Sequence, residues 1–417
     1  MRIGRRSVGL GLGVLLMAAA CSNGRETQAT QELVWAVPNL DIGFSRDIAG
    51  MWNEAHLGGP TVRIERLPEA ADDQRRLMAV ELNARLPRLD VLSLDVVWTG
   101  EFAGRNWLVD LQAIRDPVTK ESLKAPLKSA SWNGRLWGAP FTSGAGILYY
   151  RKDLLPGGAP RTYADLAKAV ADVRSGGRPG IRGLVGQGAQ YEGLVVNYLE
   201  YLWGHGGDLA RSDNGIDLST GPAIAALTHM HDSLRNGPFA PNFDTMKEGD
   251  ALASFAAGEA VFMRNWPYAY KELREKHPAM FQNVGIARLP TIDGSGESAA
   301  TGGSNLAVSR FSRNAKAATE FVRFASTDPR VQVLLGTLSR PPTMASAYEH
   351  PAVAARPDMK LLGEVLRNAH ARPSTQEWSA ISNEIQQHVF PSLKGRVAPS
   401  VAVDSIRSFL TITVGDR

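Results

Sequence analysis

Residues 92–107 read LSLDVVWTGEFAGRNW. An apolar run of strand character ends in Asp95, and Trp98 follows three residues later. In open α/β sheets the carboxyl ends of the strands face the binding crevice, so this carboxylate and this indole stand where a ligand sits. Acidic and aromatic groups together suit a molecule that offers hydroxyl donors on its rim and C–H bonds on its faces, as a sugar does. An Asp after a strand is also common as a helix cap, the plainer alternative for Asp95.

Outward from this stretch, strand-like apolar runs alternate with segments of helical period, the pattern of an α/β protein with largely parallel sheets. Residues 32–37, 61–67 and 90–94 read as strands, and 44–56 and 72–84 as the helices between them. Further on, 136–140 and 146–151 read as extended, 162–173 as a helix with Thr162 as N-cap, and 188–202 as a helix. Met230–Leu234 belongs to another helix and 251–257 precedes a strand at 260–265. Residues 284–289 and 306–308 return to strand and loop character, and a helix at 315–325 opens a mostly helical remainder. Stretches rich in Gly, Pro and Ser at 156–160, 175–183 and 291–304 punctuate the chain, and no fixed-period repeat is present.

At the N-terminus Arg2, Arg5 and Arg6 precede an apolar run from Val8 to Ala20 that stops at Cys21. The run is short for a membrane-spanning helix, which needs about 20 apolar residues, and fits the apolar region of a signal peptide. Cys21 is the only cysteine in the chain and follows three alanines. This resembles a bacterial lipobox, with Ala18 in place of the usual large aliphatic residue. The resemblance implies that Cys21 is diacylated and becomes the new N-terminus, since two acyl chains anchor durably where one does not. An ordinary signal peptide with an incidental cysteine is the alternative. Ser22–Thr30 reads as a polar tether. Of the net charge of +4, the leader arginines supply three, leaving +1 for the rest. No Lys/Arg block interleaved with aromatics appears, which argues against nucleic acid as a partner.

Several segments together resemble the extracellular solute-binding proteins that serve carbohydrate ABC importers, most closely the trehalose- and maltose-type members, including actinobacterial trehalose-binding lipoproteins. They are DVLSLDVVW at 90–98, LWGAPFTSGAGILYYR at 136–151, QGAQYEGL at 187–194, FAAGEAVFMRNWPY at 255–268, GGSNLAV at 302–308 and the Arg372–Pro373 pair. They run in the family's order across nearly the whole chain. The resemblance implies a two-lobed periplasmic-binding-protein-like α/β fold. Each lobe would be a mostly parallel sheet flanked by helices, joined by hinge crossings near Thr142, Trp266 and Arg310. With 1–20 as signal peptide and 21–31 as tether, the first lobe is expected over 32–142 and 267–311. The second is expected over 143–266 and 312–417.

The resemblance further implies that Asp41 and Asp95 of the first lobe, with Glu248 of the second, accept hydroxyl hydrogen bonds. Trp266 would stack on one sugar ring, with Tyr268 a second aromatic close by. Gly303 would let the backbone approach the ligand. Arg372 would bind hydroxyls or hold the carboxylates in place. Each has a plainer alternative: Asp41 as cap of the helix near Phe44, Glu248 as a solvated loop residue, Trp266 as core, Arg372 as a surface ion pair. Glu192 reads as a helix-start stabiliser and not as a sugar contact. Where related trehalose binders carry a polar residue this chain has Gly144, which removes one contact and widens the pocket.

The expected protein is a sugar-binding component of an importer, on the outer face of the membrane, working as a monomer with permease subunits and with no cofactor or metal. A lipid-anchored glycoside hydrolase using paired carboxylates is the main rival. Against it, the chain carries no nucleophile elbow, no HExxH and no Walker-type loop. His229 and His231, two apart, do not share a helix face, so metal binding is not expected. A scaffold or adhesion lipoprotein is the third reading.

Overall fold

The computed structural model describes residues 32–212 and 215–414. The signal segment, Cys21 and the tether lie outside them. Two sheets organise the chain. The first has five strands in the order Thr61–Leu67, Glu32–Pro38, Val91–Asp95, Thr301–Val308, Ala139–Ala145. The second has four, in the order Val284–Ala287, Ile147–Arg151, Ala260–Asn265, Arg182–Val185.

Local sequence explains the elements. Glu32–Pro38 is apolar almost throughout because it lies inside the sheet, where strands buried on both faces read as continuous hydrophobic runs. Its Trp35 is fully buried, packs against the rings of Phe141 and Phe321 at 5.6 and 5.2 Å, and donates its indole N–H to Ser93 at 2.9 Å. Ile42–Ala55 buries Phe44, Ile48, Ala49 and Trp52, the spacing of one helical face. Thr162 caps Tyr163–Ser175 as expected, accepting from the Asp165 N–H at 3.0 Å. Every residue of Glu192–Gly204 is buried, because this helix lies against both Thr220–Arg235 and Trp378–Leu393.

The two-lobed α/β arrangement is as expected, but strand direction is not mostly parallel. Glu32–Pro38 pairs parallel with both neighbours, whereas Thr301–Val308 runs antiparallel to Val91–Asp95 and to Ala139–Ala145. In the second sheet only the pairing of Ala260–Asn265 with Arg182–Val185 is parallel. The antiparallel strands are those next to the crossings, where the chain passes between sheets without a covering helix to reverse it.

The crossings also sit away from the expected positions. Thr142 lies inside Ala139–Ala145, and the chain changes sheet at Gly146. Gly146 has no room for a side chain: a Cβ there would lie 2.2 Å from Glu200 Oε1 and 2.5 Å from Arg264 Nη2. Trp266 ends no lobe, because Val284–Ala287 still pairs in the second sheet, so the second crossing falls between Ala287 and Thr301. The helices Ala315–Thr327 and Pro329–Thr337 bury Phe321, Val322, Val331 and Leu335 in the core of the first sheet. Val353, Met359, Leu362 and Val365 pack in the core of the second sheet, so the third crossing falls between Thr337 and Val353 and not at Arg310, and Trp378–Leu393 and Pro399–Val414 complete the second lobe.

Candidate functional site

One cavity between the two sheets is lined by all seven residues expected to bind ligand: Asp41, Asp95, Glu248, Trp266, Tyr268, Gly303 and Arg372. Asp95 and Gly303 come from neighbouring strands of the first sheet, and Trp266 directly follows Ala260–Asn265 of the second.

The indole of Trp266 is held by charge. The Arg264 guanidinium lies 4.2 Å from its ring centroid, a cation–π contact. Arg264 is itself buried, with Nε and Nη2 donating to the two carboxylate oxygens of Glu200 at 2.8 and 2.5 Å and Nη1 donating to Gln187 at 2.9 Å. A bidentate pair of this kind fixes orientation as well as charge, so the ring rests on an immobile base. Gly302 meets the ring edge, where a Cβ would come within 2.7 Å of indole Cζ3. Trp266 is half-buried and lines the cavity, so it is not simply core.

Asp41 precedes the helix Ile42–Ala55 but makes no side-chain capping bond. It pairs instead with Arg340 at 2.7 Å, and burial raises its pKa above the ordinary carboxylate value against the opposing pull of Arg340. The Arg340 guanidinium lies 5.1 Å from the Tyr268 ring centroid and 5.2 Å from that of Phe44. It thereby links the acidic group of the first lobe to the aromatic of the second. The Tyr268 hydroxyl is buried with no hydrogen-bond partner of normal geometry among the described residues.

Glu248 is the first residue of Glu248–Ala256, where a carboxylate is favoured by the helix dipole. It is not left to solvent: Tyr191 Oη donates to its Oε2 at 2.6 Å. Asp95 accepts from the Val97 N–H at 3.2 Å and from Arg372 Nη2 at 3.1 Å.

Arg372 is no surface ion pair. Its side chain is 1 % exposed and binds two carboxylates, Asp95 in the first lobe and Glu192 in the second, the latter through Nη1 at 2.5 Å. Its Nε is buried without a partner among the described residues. Glu192 departs from expectation, because its carboxylate does not serve the helix start. It accepts from Arg372, from the Trp378 indole N–H at 3.2 Å and from the Ser382 hydroxyl, and it lines the cavity. Burial pushes its pKa up to about 7, with Arg372 pulling the other way.

Gly303 lines the cavity, but its conformation has another cause. At φ +117° a Cβ would lie 2.2 Å from the Thr142 carbonyl oxygen, so the glycine permits the strand pairing itself. Gly144 is also on the wall, and a Cβ there would meet only the Pro267 ring, Cδ at 3.7 Å and Cγ at 3.8 Å, both ordinary contacts.

Arg340, Glu192, Glu69 and Tyr191 also line the cavity and were not singled out from sequence as ligand contacts. The motif QYEGL at 190–194 held the signal for two of them; Arg340, in a loop between helices, had none. Among the described residues no group of three or more His, Cys, Asp or Glu is placed to hold a metal ion, and no helix is long and apolar enough to cross a membrane.

Comparison with known proteins matches residues 48–360 to the bacterial extracellular solute-binding protein family. A probable ABC transporter-binding protein of Deinococcus radiodurans is 30% identical over 96% of both chains. A maltooligosaccharide ABC transporter solute-binding lipoprotein of Streptococcus pneumoniae is 21% identical over 79% of this chain and 77% of its own. Among solved structures, maltose-bound T. maritima MalE3 superposes with a TM-score of 0.86 at 31% identity, covering 92% of this chain and 100% of its own. The GacH receptor of Streptomyces glaucescens gives 0.82 at 23% identity over 93% and 99%, a likeness of fold. With three quarters of its length matched and a relative aligned almost end to end, the chain belongs to the bacterial extracellular solute-binding protein family.

Proposed function

We propose that this solute-binding protein captures a disaccharide or short oligosaccharide of α-linked glucose, maltose or trehalose in the first instance, and delivers it to an ABC permease. The observation that carries the reading is the convergence of Asp41, Asp95 and Glu248 with Trp266 and Tyr268 on one cavity walled by both lobes. Carboxylates accept hydroxyl protons through charge-assisted bonds, and rings offer faces to the C–H side of a pyranose. Arg372 Nε and Tyr268 Oη, buried without a hydrogen-bond partner of normal geometry among the described residues, are groups that a ligand's oxygens can satisfy. The relative solved with maltose and the maltooligosaccharide lipoprotein favour an α-glucoside. Glycine at 144 leaves space for a linkage or chain length that a polar side chain there would exclude.

The protein is a binding component and not an enzyme, as its family is. In this reading Cys21 carries the acyl chains that hold it, as a monomer, at the extracytoplasmic face, and lobe closure around the sugar is what the permease recognises. A thermal-shift panel of purified sugars tests the ligand class, because a ligand selective for the native state raises Tm. A rise with maltose, trehalose or a maltooligosaccharide and none with pentoses or polyols is the expected outcome. A rise confined to polyols or to non-carbohydrates would overturn it.

A further inference from the structure

A second cavity, of about 1230 Å³, adjoins the first and shares Thr142, Ser143, Gly302 and Arg372 with it. Its walls come from both lobes: Leu123–Asn133 of the first, Asp208–Ala210 and the segment 366–374 of the second, and Ala345 and Tyr348 from the segment that crosses between them. Beyond those four shared residues, nothing in the sugar reading uses it.

Its chemistry differs from that of the sugar cavity. Half-buried apolar groups, chiefly Leu123, Trp132, Tyr348 and Leu366, supply most of its surface. Around them stand the exposed cations Lys124, Lys128 and Arg367, none of which has an ion-pair partner among the described residues. The one lining carboxylate, Asp208, is engaged by the Trp203 indole N–H and the Leu209 N–H, each at 2.8 Å. His370 is turned to other work, stacked on Trp203 at 4.7 Å with Nε2 2.8 Å from the Glu297 carbonyl oxygen. An apolar floor under unpaired positive charge is complementary to a molecule with an apolar body and an anionic head.

We propose that this hinge cavity is a binding site for an amphipathic anion, an aromatic or aliphatic acid, distinct from the sugar site. The apolar body would lie against Trp132 and Tyr348, and the anionic head would face Lys124, Lys128 and Arg367.

Fluorescence titration of the full chain with anilinonaphthalene sulfonate, an amphipathic anion that brightens in apolar surroundings, tests the proposal. Uncharged phenylnaphthylamine is run beside it as control. Saturable binding at one site is expected, weaker by about tenfold or more, roughly 1.4 kcal/mol, for the neutral probe and for the variant K124E/K128E/R367E. All three substitutions are at exposed positions, and an unchanged Tm checks that the variant is folded. Trp132→Ala, which removes a wall without altering charge, should weaken both probes. Absence of saturable binding, equal affinity for the two probes, or an affinity unchanged by charge reversal would each overturn it. None of these outcomes depends on which sugar the chain carries.

Discussion

Arg372 and Glu192 form a buried ion pair at 2.5 Å, and the same guanidinium reaches Asp95 in the opposite lobe. One cation thus ties together two carboxylates, both of which line the cavity and are contributed by different lobes, Asp95 from a strand end and Glu192 from a helix start. Removing the cation would leave the two acids with neutral donors only, Trp378 and Ser382 at Glu192 and the Val97 N–H at Asp95. A buried charge stripped of its partner costs about 3–5 kcal/mol. Arg372→Ala is accordingly expected to lower Tm and to abolish measurable sugar binding, while Arg372→Lys, which lacks the planar fork, restores stability better than affinity. Calorimetric titration beside thermal melts checks both; a wild-type affinity in the alanine variant would remove Arg372 from the site.

Glu192 gives a pH signature. Its folded-state pKa is raised from 4.5 to about 7, so between those values the folded chain holds a proton that the unfolded chain has lost. Its contribution to stability is then greatest at low pH and falls as pH rises from about 4.5 to about 7. Glu192→Gln, which cannot titrate, should lose this slope. Tm measured across that window for both proteins decides the matter, and parallel curves would contradict the assignment.

Trp266 rests on a guanidinium clamped by Glu200 and Gln187, so its ring is positioned before any ligand arrives. Trp266→Ala should cost sugar affinity about a hundredfold or more, near 3 kcal/mol, with Tm little altered. An affinity within twofold of wild type would show that the sugar does not use the indole.

For Asp95 the expected loss on change to Ala is about 1–3 kcal/mol of binding free energy through charged hydrogen bonds. Part of that reflects Arg372, which would keep only Glu192. Asp95→Asn, which keeps the shape and the Val97 contact, separates the two effects: a smaller loss points to positioning, an equal loss to the charge itself.

Gly144 and Gly303 make a contrasting pair. A Cβ at 144 meets nothing closer than 3.7 Å, so Gly144→Asn should fold normally and change the ratio of maltose to trehalose affinity. At 303 the Thr142 carbonyl stands 2.2 Å from a Cβ and φ is +117°, so Gly303→Ala should destabilise the fold by roughly 1–3 kcal/mol. Normal stability of the second variant would mean that the strand pairing is more pliable than its register indicates.

Much of this architecture was legible in sequence. The apolar run 32–37 marks a buried strand, and 61–67, where Val62 and Leu67 are buried while Arg63 and Arg66 face out, marks the strand at the edge of the same sheet. The strand Thr301–Val308 was read only in its last three residues, since Gly302 and Gly303 carry no strand propensity and are there for close approach to Trp266 and Thr142. The lobe boundaries were misplaced for a related reason. A crossing is decided by which sheet accepts a strand, as with Val284–Ala287, and that pairing leaves no local mark. The acidic and aromatic members of the cavity were found because their types suit the chemistry. Arg340 was missed because its role comes from partners about 300 and 72 residues distant, Asp41 and Tyr268.

The most direct measurement is calorimetric titration of the purified full chain with maltose, trehalose and maltotriose, followed by recovery and analysis of the sugar. Saturable heat at one site per chain for at least one of them, with the sugar recovered intact, is the expected result. Silence towards all three, or release of free glucose, would contradict the claim that these acids and rings form a sugar-carrying cleft.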